Sequence, residues 1–349
     1  MPSLISLPSE VLGEIGSHLY VEDLGNASLG CRVLEHSLRV HLFRGMTFTG
    51  HRTAVAEALL RFLSNRNGSR PQAMGRICRS LRIVVMPQNN DTFDEGREFL
   101  PALLMSTKKS LPGVVCLSLS LHGLSNSEIT AFHRMLKEGP NWDAHSLRNA
   151  SVDGLDVVPE MGQHGVAPIK EGCPSLRRLR VCFRNPLHDF PQHLNGTAQV
   201  KLNQLENIEQ LIIQESAGAS NAYPIGGIYR PMYIIGRLCA IADSLRDMTS
   251  LRQISMVFHP RVMTWISRPA LRLIPGQGLR IELDTFLAAA IMAMGERLSH
   301  VGEICLVENN AILSGVNMIH RGVRDSDGEM AVRIESPGHE NSFPLNISH

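Results

Sequence analysis

The sequence has few aromatic residues and no excess of charge of either sign. Phe, Trp and Tyr make up 5% of its 349 residues, and 34 Lys and Arg residues nearly balance 33 Asp and Glu residues, which gives a formal net charge of +1. Proteins that bind nucleic acid through their overall charge carry a basic excess, and base-stacking surfaces need aromatic side chains. We therefore expect no nucleic-acid partner.

Signals for secretion, membrane insertion and disulfide formation are also absent. The seven cysteines are odd in number and include no CxxC pair, and the N-terminal segment MPSLISLPSEVLGEI lacks the basic start and apolar run of a signal peptide. The longest apolar stretch, around 286–294, is too short to span a bilayer. These absences predict free thiols, no membrane association and an intracellular protein of the cytoplasm, the nucleus or both.

Recognised catalytic and metal-binding signatures are missing as well. The sequence has no G-x-S-x-G, P-loop, H-E-x-x-H or G-x-G-x-x-G motif. His188 and His193 are five residues apart and have no cysteine partner at zinc-finger spacing. Asp325 and Asp327 are similar to the start of a calcium loop, but Ser336 stands where the distal Glu is required. We predict no catalytic residue, cofactor or metal; an enzyme with an unrecognised site after residue 50 is the alternative.

The first fifty residues contain three short helical patterns. Pro8 suits the first turn of one helix, and Asp23 can cap a second helix that ends at Gly30. The first helix has Val11, Leu12, Ile15 and Leu19 on one apolar face, and the second contains Leu24, Ala27 and Leu29. In the third, amphipathic helix the apolar residues recur at helical spacing: Cys31, Leu34, Leu38 and Leu42. Cys31 is expected to be a small buried residue. Because helices this short bury little surface, a partner or a following domain should cover one face.

This region resembles an F-box. Its elements occur in the order and spacing of that family: Leu7-Pro8, Asp23-Leu24, Cys31-Arg32 and Leu42-Phe43-Arg44. The similarity covers about residues 4–48, and Leu34 stands where the family often has Trp. A generic three-helix cap is the alternative interpretation of the same helices.

The resemblance implies a subunit that brings substrates to a ubiquitin ligase. An F-box binds the Skp-type adaptor of a cullin–RING ligase, and the rest of the chain recruits a protein substrate. Seven residues would contact the adaptor or support that contact: Leu7, Pro8, Ile15, Leu19, Leu24, Cys31 and Arg32. Ubiquitin transfer would belong to other subunits, so this chain is expected to be a non-catalytic adaptor. The alternative is an F-box scaffold protein that acts outside ligase complexes.

The remaining three hundred residues contain a recurring Ser-Leu-Arg phrase. It occurs at 80–82, 146–148, 175–177 and 250–252. Most copies precede short apolar runs typical of strands, and similar runs without the phrase lie at 114–121, 208–213 and 301–307. Successive units are 29 to 43 residues apart, which is typical of solenoid repeats.

Helical patterns lie between these strands. Ser125 and Glu128 form a capping box at the start of one helix, and further helices are predicted over 234–248 and 286–298. A strand and a helix of this size bury their apolar faces only by stacking on neighbouring units. This region therefore resembles a degenerate leucine-rich-repeat array, whose curved sheet would present a long surface to a partner. A non-repetitive α/β domain is the alternative.

The sequence as a whole predicts an α/β protein, with a three-helix F-box followed by a leucine-rich-repeat-like β/α solenoid. The predicted segments are 1–48 for the F-box, 49–76 for a helix and linker, 77–320 for the repeat-like domain and 321–349 for a hairpin and tail. In the last segment, a turn signal from Asp325 to Gly328 precedes alternating apolar residues, which predicts the hairpin.

Overall fold

The computed structural model shows an α/β protein made of two compact units. The first unit comprises Met1–Met135 and Pro140–Leu147, and the second comprises Leu136–Gly139 and Arg148–His349. The residues described are 4–64, 75–87, 99–138, 147–153, 175–183, 207–215, 231–258, 277–308, 317–335 and 343–345. These ranges hold eight α-helices, one 3-10 helix and ten strands in parallel and antiparallel pairs.

The first unit begins with three short helices and continues with alternating strands and helices. After a 3-10 turn at Leu4–Ser6, its elements are α1 (Ser9–Ser17), α2 (Val21–Gly30), α3 (Arg32–Leu42), β1 (Gly45–His51), α4 (Arg52–Ser64), β2 (Ser80–Met86), α5 (Phe99–Ser110), β3 (Cys116–Ser120) and α6 (Asn126–Glu138). Strands β1, β2 and β3 pair in parallel, in the order in which they occur in the chain. A helix connects each strand to the next, as parallel pairing requires.

The three predicted N-terminal helices are present, with corrections at two residues. Helix α2 begins at Val21, so Asp23 lies in its first turn and does not cap it. An acidic side chain there still faces the positive end of the helix dipole. Cys31 is the extended residue between α2 and α3 and is half-buried, so the prediction that it is a buried residue within α3 is wrong.

A small core holds these three helices together. Leu12, Leu24 and Leu38 are buried and come from α1, α2 and α3 respectively. Gly16 of α1 is also buried, and a Cβ atom added there would lie 2.6 Å from Leu38 Cδ2. The absence of a side chain at Gly16 therefore permits the close approach of α1 and α3.

The predicted capping box at the start of α6 is confirmed. The backbone N–H of Ser125 donates to Glu128 Oε2 at 3.0 Å, and the backbone N–H of Glu128 donates to Ser125 Oγ at 3.3 Å. Arg52 at the start of α4 donates to the same buried carboxylate at 2.8 Å. The carboxylate thus fixes the helix start and is neutralised by a guanidinium, which offsets the cost of its burial.

The described part of the second unit contains five parallel strands, two helices and a hairpin. Its elements are β4 (Asn149–Asp153), β5 (Arg178–Phe183), β6 (Gln210–Glu215), α7 (Pro231–Leu245), β7 (Gln253–Phe258), α8 (Gln277–Arg297), β8 (Glu303–Glu308), β9 (Met318–Arg324) and β10 (Met330–Glu335). Strands β4 to β8 pair in parallel in chain order. Strand β9 is antiparallel to β8, and β10 is antiparallel to β9.

The predicted hairpin is confirmed. The side chain of Asp325 accepts hydrogen bonds from the backbone N–H groups of Asp327 and Glu329, at 3.0 and 2.9 Å. Gly328 has φ +85°, a left-handed conformation that glycine adopts without a steric penalty. Asp325 and Asp327 are therefore part of the turn that joins β9 and β10.

One pattern of buried apolar residues repeats along the parallel strands. A buried residue lies two positions before the strand, and two more lie at its second and fourth positions. The sets are Cys78, Leu81 and Ile83; Val114, Leu117 and Leu119; Leu176, Leu179 and Val181; Ile208, Leu211 and Ile213; Leu251, Ile254 and Met256; and Val301, Ile304 and Leu306. The two strand positions share one face because side chains alternate along a strand.

This pattern corrects the repeat inferred from the Ser-Leu-Arg phrase. In the copies at 175–177 and 250–252, the leucine occupies the buried position before the strand. In the first copy, Leu81 occupies the second position of β2 instead, so that copy is out of register with the later ones. The equivalent residue is Cys78, and the first spacing is therefore 36 residues from Cys78 to Val114, not 33.

Helix α8 is longer than its sequence pattern predicts. It begins at Gln277, whereas the predicted helix over 286–298 follows Asp284 as its start signal. Asp284 lies inside the helix because its side chain contacts buried groups of the second unit. The other predicted helix corresponds to α7, which begins three residues earlier than the prediction of 234.

The first prediction concerns Gly123, in the turn after β3. Its backbone N–H donates to the Val85 carbonyl at 2.9 Å, and an added Cβ atom would lie 2.8 Å from both the Met86 carbonyl carbon and Val85 Cγ1. Since backbone atoms of β2 cannot move aside without losing strand pairing, Gly123→Ala should lower the free energy of unfolding by about 1–3 kcal/mol. Urea denaturation followed by circular dichroism measures this change.

Gly25 provides a matched control within the same unit. It lies inside α2, and no atom is within 4 Å of an added Cβ. Gly25→Ala should therefore leave stability unchanged or raise it by up to about 1 kcal/mol through helix propensity. Equal losses for the two variants would contradict the steric explanation.

Candidate functional site

The N-terminal helices expose an unusual number of apolar side chains. Among the described residues, nine of the sixteen exposed large apolar side chains fall within the first 42 residues: Leu4, Ile5, Val11, Ile15, Leu19, Tyr20, Leu29, Val33 and Val40. We refer to these nine residues as the N-terminal apolar surface. Isolated exposed apolar residues are common, but a concentration in one short segment is typical of an interaction site.

The seven residues predicted to serve adaptor binding occupy different environments. Those that are exposed are Pro8, Ile15, Leu19 and Arg32; Leu7 and Cys31 are half-buried; and Leu24 is buried. Leu24 belongs to the core of the three helices, so a supporting role suits it and direct contact does not. The exposed members and Leu7 lie on α1 or next to it, apart from Arg32, the first residue of α3.

Two of the most exposed residues are missed by the sequence analysis. Tyr20 and Leu29 are 83% and 85% exposed. Leu29 lies in the predicted second helix together with Leu24, but it does not share the buried face of that residue. Five residues at about 100° each place Leu29 roughly 140° around the helix from Leu24, on another face. Helical angle could therefore have identified Leu29; Tyr20, which precedes α2, has no such signal.

A second candidate surface is one face of the strands in the second unit. Helix α8 packs on the opposite face, where a Cβ added at Gly322 would meet Ile291 of that helix. We call the face away from α8 the ladder face. One register row crosses it from strand to strand: Ser151, Arg180, Ile212, Ser255, Cys305 and Arg321. This row changes from polar to apolar and back along the sheet.

Polar side chains form a continuous hydrogen-bonded chain along the ladder face. Gln210 Nε2 donates to Gln253 Oε1 at 2.8 Å, and Gln253 Nε2 donates to Glu303 Oε2 at 2.6 Å. Arg321 donates to Glu303 and, at 2.8 Å, to Glu335. Four neighbouring strands and β10 are thereby linked through side chains as well as through backbone pairing.

The ladder face also has an apolar patch, which we define as Ile212, Val257, Cys305, Val307 and Ile319. All five are buried, and Phe343 and Leu345 from the end of the chain pack against them. Beside the patch, Arg180 donates to Ser151 and Gln214. This face can therefore hold an extended apolar segment between polar side chains.

One buried group has the residue types of a metal site. Asp284 of α8, Glu308 of β8 and His320 of β9 converge, and their candidate ligand atoms lie within 4.8 Å of one another. Glu308 and His320 are buried, and His320 Nε2 lies 2.8 Å from Glu308 Oε1 and 3.6 Å from Asp284 Oδ1. It is the one such group of three in the described ranges; His188 and His193 lie outside them. These side chains could hold a divalent cation.

The buried thiols are poor nucleophiles. Burial raises the pKa of Cys78 to about 11, and it also raises the pKa of Cys239 and of Cys305 above the usual thiol value. Since the thiolate is the reactive form, these residues stay protonated and unreactive near neutral pH. Cys31 is half-buried, and Cys173 lies outside the described residues.

Comparison with protein-family models and with curated protein sequences finds no match for this chain. Within the described parts of the chain, none of the helices has both the length and the hydropathy needed to cross a bilayer. The exposed helices, the ladder face and the buried Asp–Glu–His group are therefore the basis on which a function is assigned.

The second prediction concerns thiol accessibility. Iodoacetamide at pH 8 should label Cys31 well before Cys78 and Cys305, as measured by peptide mass spectrometry of the folded protein. With a pKa of about 11, roughly one Cys78 thiol in 1,000 is ionised at pH 8, and its labelling should increase only as the pH approaches 11. In denaturant the three should react at similar rates; fast labelling of Cys78 in the folded protein would contradict the assigned burial.

The third prediction concerns the buried Glu308–His320 pair. Glu308→Ala removes a hydrogen bond from the buried imidazole and should lower the free energy of unfolding by about 1–3 kcal/mol. Glu57→Ala, which removes an exposed ion pair with Arg61, should change stability by less than about 0.5 kcal/mol.

Melting curves of the wild type with Zn²⁺, Mn²⁺ or EDTA test whether the Asp284–Glu308–His320 group binds metal. A metal-dependent increase in Tm that Glu308→Ala abolishes would identify a metal site.

Proposed function

We propose that this chain is an F-box protein that recruits a substrate protein to a Skp–cullin–F-box ubiquitin ligase. The observation that carries the proposal is the N-terminal apolar surface on three short helices whose sequence resembles an F-box. Those helices bury only a small core among themselves. A Skp-type adaptor is the partner that this motif implies, and its binding would cover side chains that the chain leaves in water.

The size of the hydrophobic term requires several side chains to act together. Burying a fully exposed Leu, Ile or Val side chain contributes about 1.5–3 kcal/mol, and a micromolar complex needs about 8 kcal/mol net of the cost of association. Ile15, Leu19 and the neighbouring Val11 expose part of their surface, while Leu29 is almost fully exposed. Several of these residues together would be needed, which accords with a multi-residue interface.

The strands supply the proposed substrate-binding part. Within each unit they pair in chain order, and a described helix connects β1 to β2, β2 to β3, β6 to β7 and β7 to β8. The buried residues follow an L-x-x-L-x-L spacing that is typical of leucine-rich repeats. In such repeats the strand face opposite the helices binds partners. We therefore infer that the ladder face holds the substrate, and that the chain works inside the cell as a positioning subunit while other subunits transfer ubiquitin.

A scaffold role outside ligase complexes is the second candidate. It uses the same N-terminal apolar surface, because the adaptor would be bound in the same way. What differs is whether a cullin–RING ligase is recruited through the adaptor. Ubiquitin transfer to a bound protein therefore distinguishes the two candidate functions, whereas adaptor binding does not.

The fourth prediction tests the adaptor interface. Co-purification of the full chain with a Skp-type adaptor should be lost or weakened by about tenfold or more in Leu7→Ala/Pro8→Ala, and reduced in Ile15→Ala. Ile334→Ala is the matched control, since Ile334 in β10 is 45% exposed and Ile15 is 38% exposed. It should bind like the wild type.

Two results would count against the proposal. If the folded wild-type chain does not bind the adaptor, the three helices are only a structural cap. If Ile334→Ala weakens binding as much as Ile15→Ala, the interface is elsewhere. Where the adaptor binds but no cullin co-purifies and no bound protein is ubiquitylated in a reconstituted ligase, the scaffold role is favoured.

A further inference from the structure

We propose that the tail segment Phe343–Leu345 occupies a peptide-binding site on the ladder face, and that a partner protein displaces it with an apolar–proline–apolar segment of its own. The proposal rests on the proposed substrate-recruiting function, because it names the kind of sequence by which a substrate would be held. Its test is independent of the F-box, since both the tail and the apolar patch belong to the second unit.

The tail packs at one place on the ladder face. Phe343 and Leu345 contact the apolar patch, and Pro344 between them is buried. The patch draws its residues from β6, β7, β8 and β9, so the segment packs against a cluster built from four neighbouring strands. Two apolar side chains flanking a proline are the part of the tail that this surface recognises.

The apolar patch on the ladder face has polar residues of the register row on either side. In the register row that crosses the face, β4 and β5 contribute Ser151 and Arg180, whereas β6 and β8 contribute Ile212 and Cys305. Beyond β8 the row returns to a charged residue, Arg321 on β9. An apolar patch with polar residues on both sides is typical of a binding site for a segment of limited length.

The tail leaves two buried polar atoms of this face without a hydrogen bond. Ser255 Oγ lies in the register row between Ile212 and Cys305 and is fully buried, and Gln210 Oε1 lies in the polar chain beside it; neither has a partner among the described residues. Buried polar groups are nearly always paired in native proteins. An extended peptide offers a carbonyl that accepts from Ser255 and an N–H that donates to Gln210, so a partner segment can pair atoms that the tail leaves unpaired.

The tether makes the tail an effective competitor. Seven residues separate Glu335, the last residue of β10, from Phe343. Such a length of chain reaches at most about 25 Å, and the four strand spacings from β10 to β6 amount to about 19 Å. A segment held this closely has an effective concentration in the millimolar range. A partner peptide must therefore displace the tail, and its apparent affinity for the full chain is lower than its affinity for the open site.

The experiment uses a fluorescein-labelled peptide of residues 339–349, HENSFPLNISH, and a chain that ends at residue 338. Fluorescence anisotropy should show that the shortened chain binds the peptide, while the full chain binds it about tenfold more weakly, because its own tail occupies the site. The peptide with Phe343→Ala and Leu345→Ala is the matched control and should not bind. Circular dichroism establishes that the shortened chain is folded.

A second variant covers the case in which the shortened chain does not fold. The full chain carrying Phe343→Ala and Leu345→Ala keeps its length and should bind the wild-type peptide more tightly than the unaltered chain does. The proposal is overturned if a folded variant of either kind fails to bind the peptide, or if all chains bind it equally. Adaptor co-purification should be the same for all of them, so a failed F-box assignment is recognised separately.

The unpaired hydroxyl provides a test of the partner. From a peptide library that keeps Phe-Pro-Leu and varies the flanking residues, the shortened chain should select sequences that bind more tightly than the tail peptide. Ser255→Ala should reduce the affinity for those sequences several-fold while leaving tail-peptide binding within about twofold. If Ser255→Ala leaves the affinity for the selected sequences unchanged, no partner hydrogen bond forms at this atom. That result would remove this part of the proposal.

Discussion

The need of the parallel strands to bury one apolar face shapes the rest of this fold. Among the described residues, α4 packs on β1 and β2 in the first unit, and α8 packs on β8, β9 and β10 in the second. The repeated buried positions before and within the strands meet this requirement. Because side chains alternate along a strand, the same arrangement directs the other positions to the opposite face, where they are available for hydrogen bonds and for binding.

The sequence predicts the features that depend on neighbouring residues in the chain. The capping box at Ser125 and the turn at Gly328 are found as expected, because short segments with specific side chains determine them. Most strands are also found, since their alternation is local. Prediction fails where a tertiary contact decides the outcome. Asp284 is a good helix start by its residue type, yet it lies within α8, where its side chain meets buried His320.

The candidate sites also differ in whether residues close together in the chain determine them. The N-terminal residues can be identified from a motif, because they follow one another over some forty residues. Asp284, Glu308 and His320 are spaced at 24 and 12 residues and match no motif; only the packing of α8 on β8 and β9 brings them together. The ladder face is equally non-local, since its row takes one residue from each of six strands. Local spacing cannot identify sites of that kind.

The two candidate surfaces differ in how their apolar residues are placed: those of the N-terminal helices are exposed, whereas those of the ladder face are buried beneath Phe343 and Leu345. The three N-terminal helices are too short to bury all of their apolar residues, so several remain in water as a result of their size. The ladder face is instead stabilised by its own polar chain from Gln210 to Glu335, which holds the strands together without using the apolar patch. The patch is covered by Phe343 and Leu345, whereas the polar chain is formed between the strands themselves. Exchange of the tail for another segment, as proposed above, would therefore leave those side-chain hydrogen bonds in place.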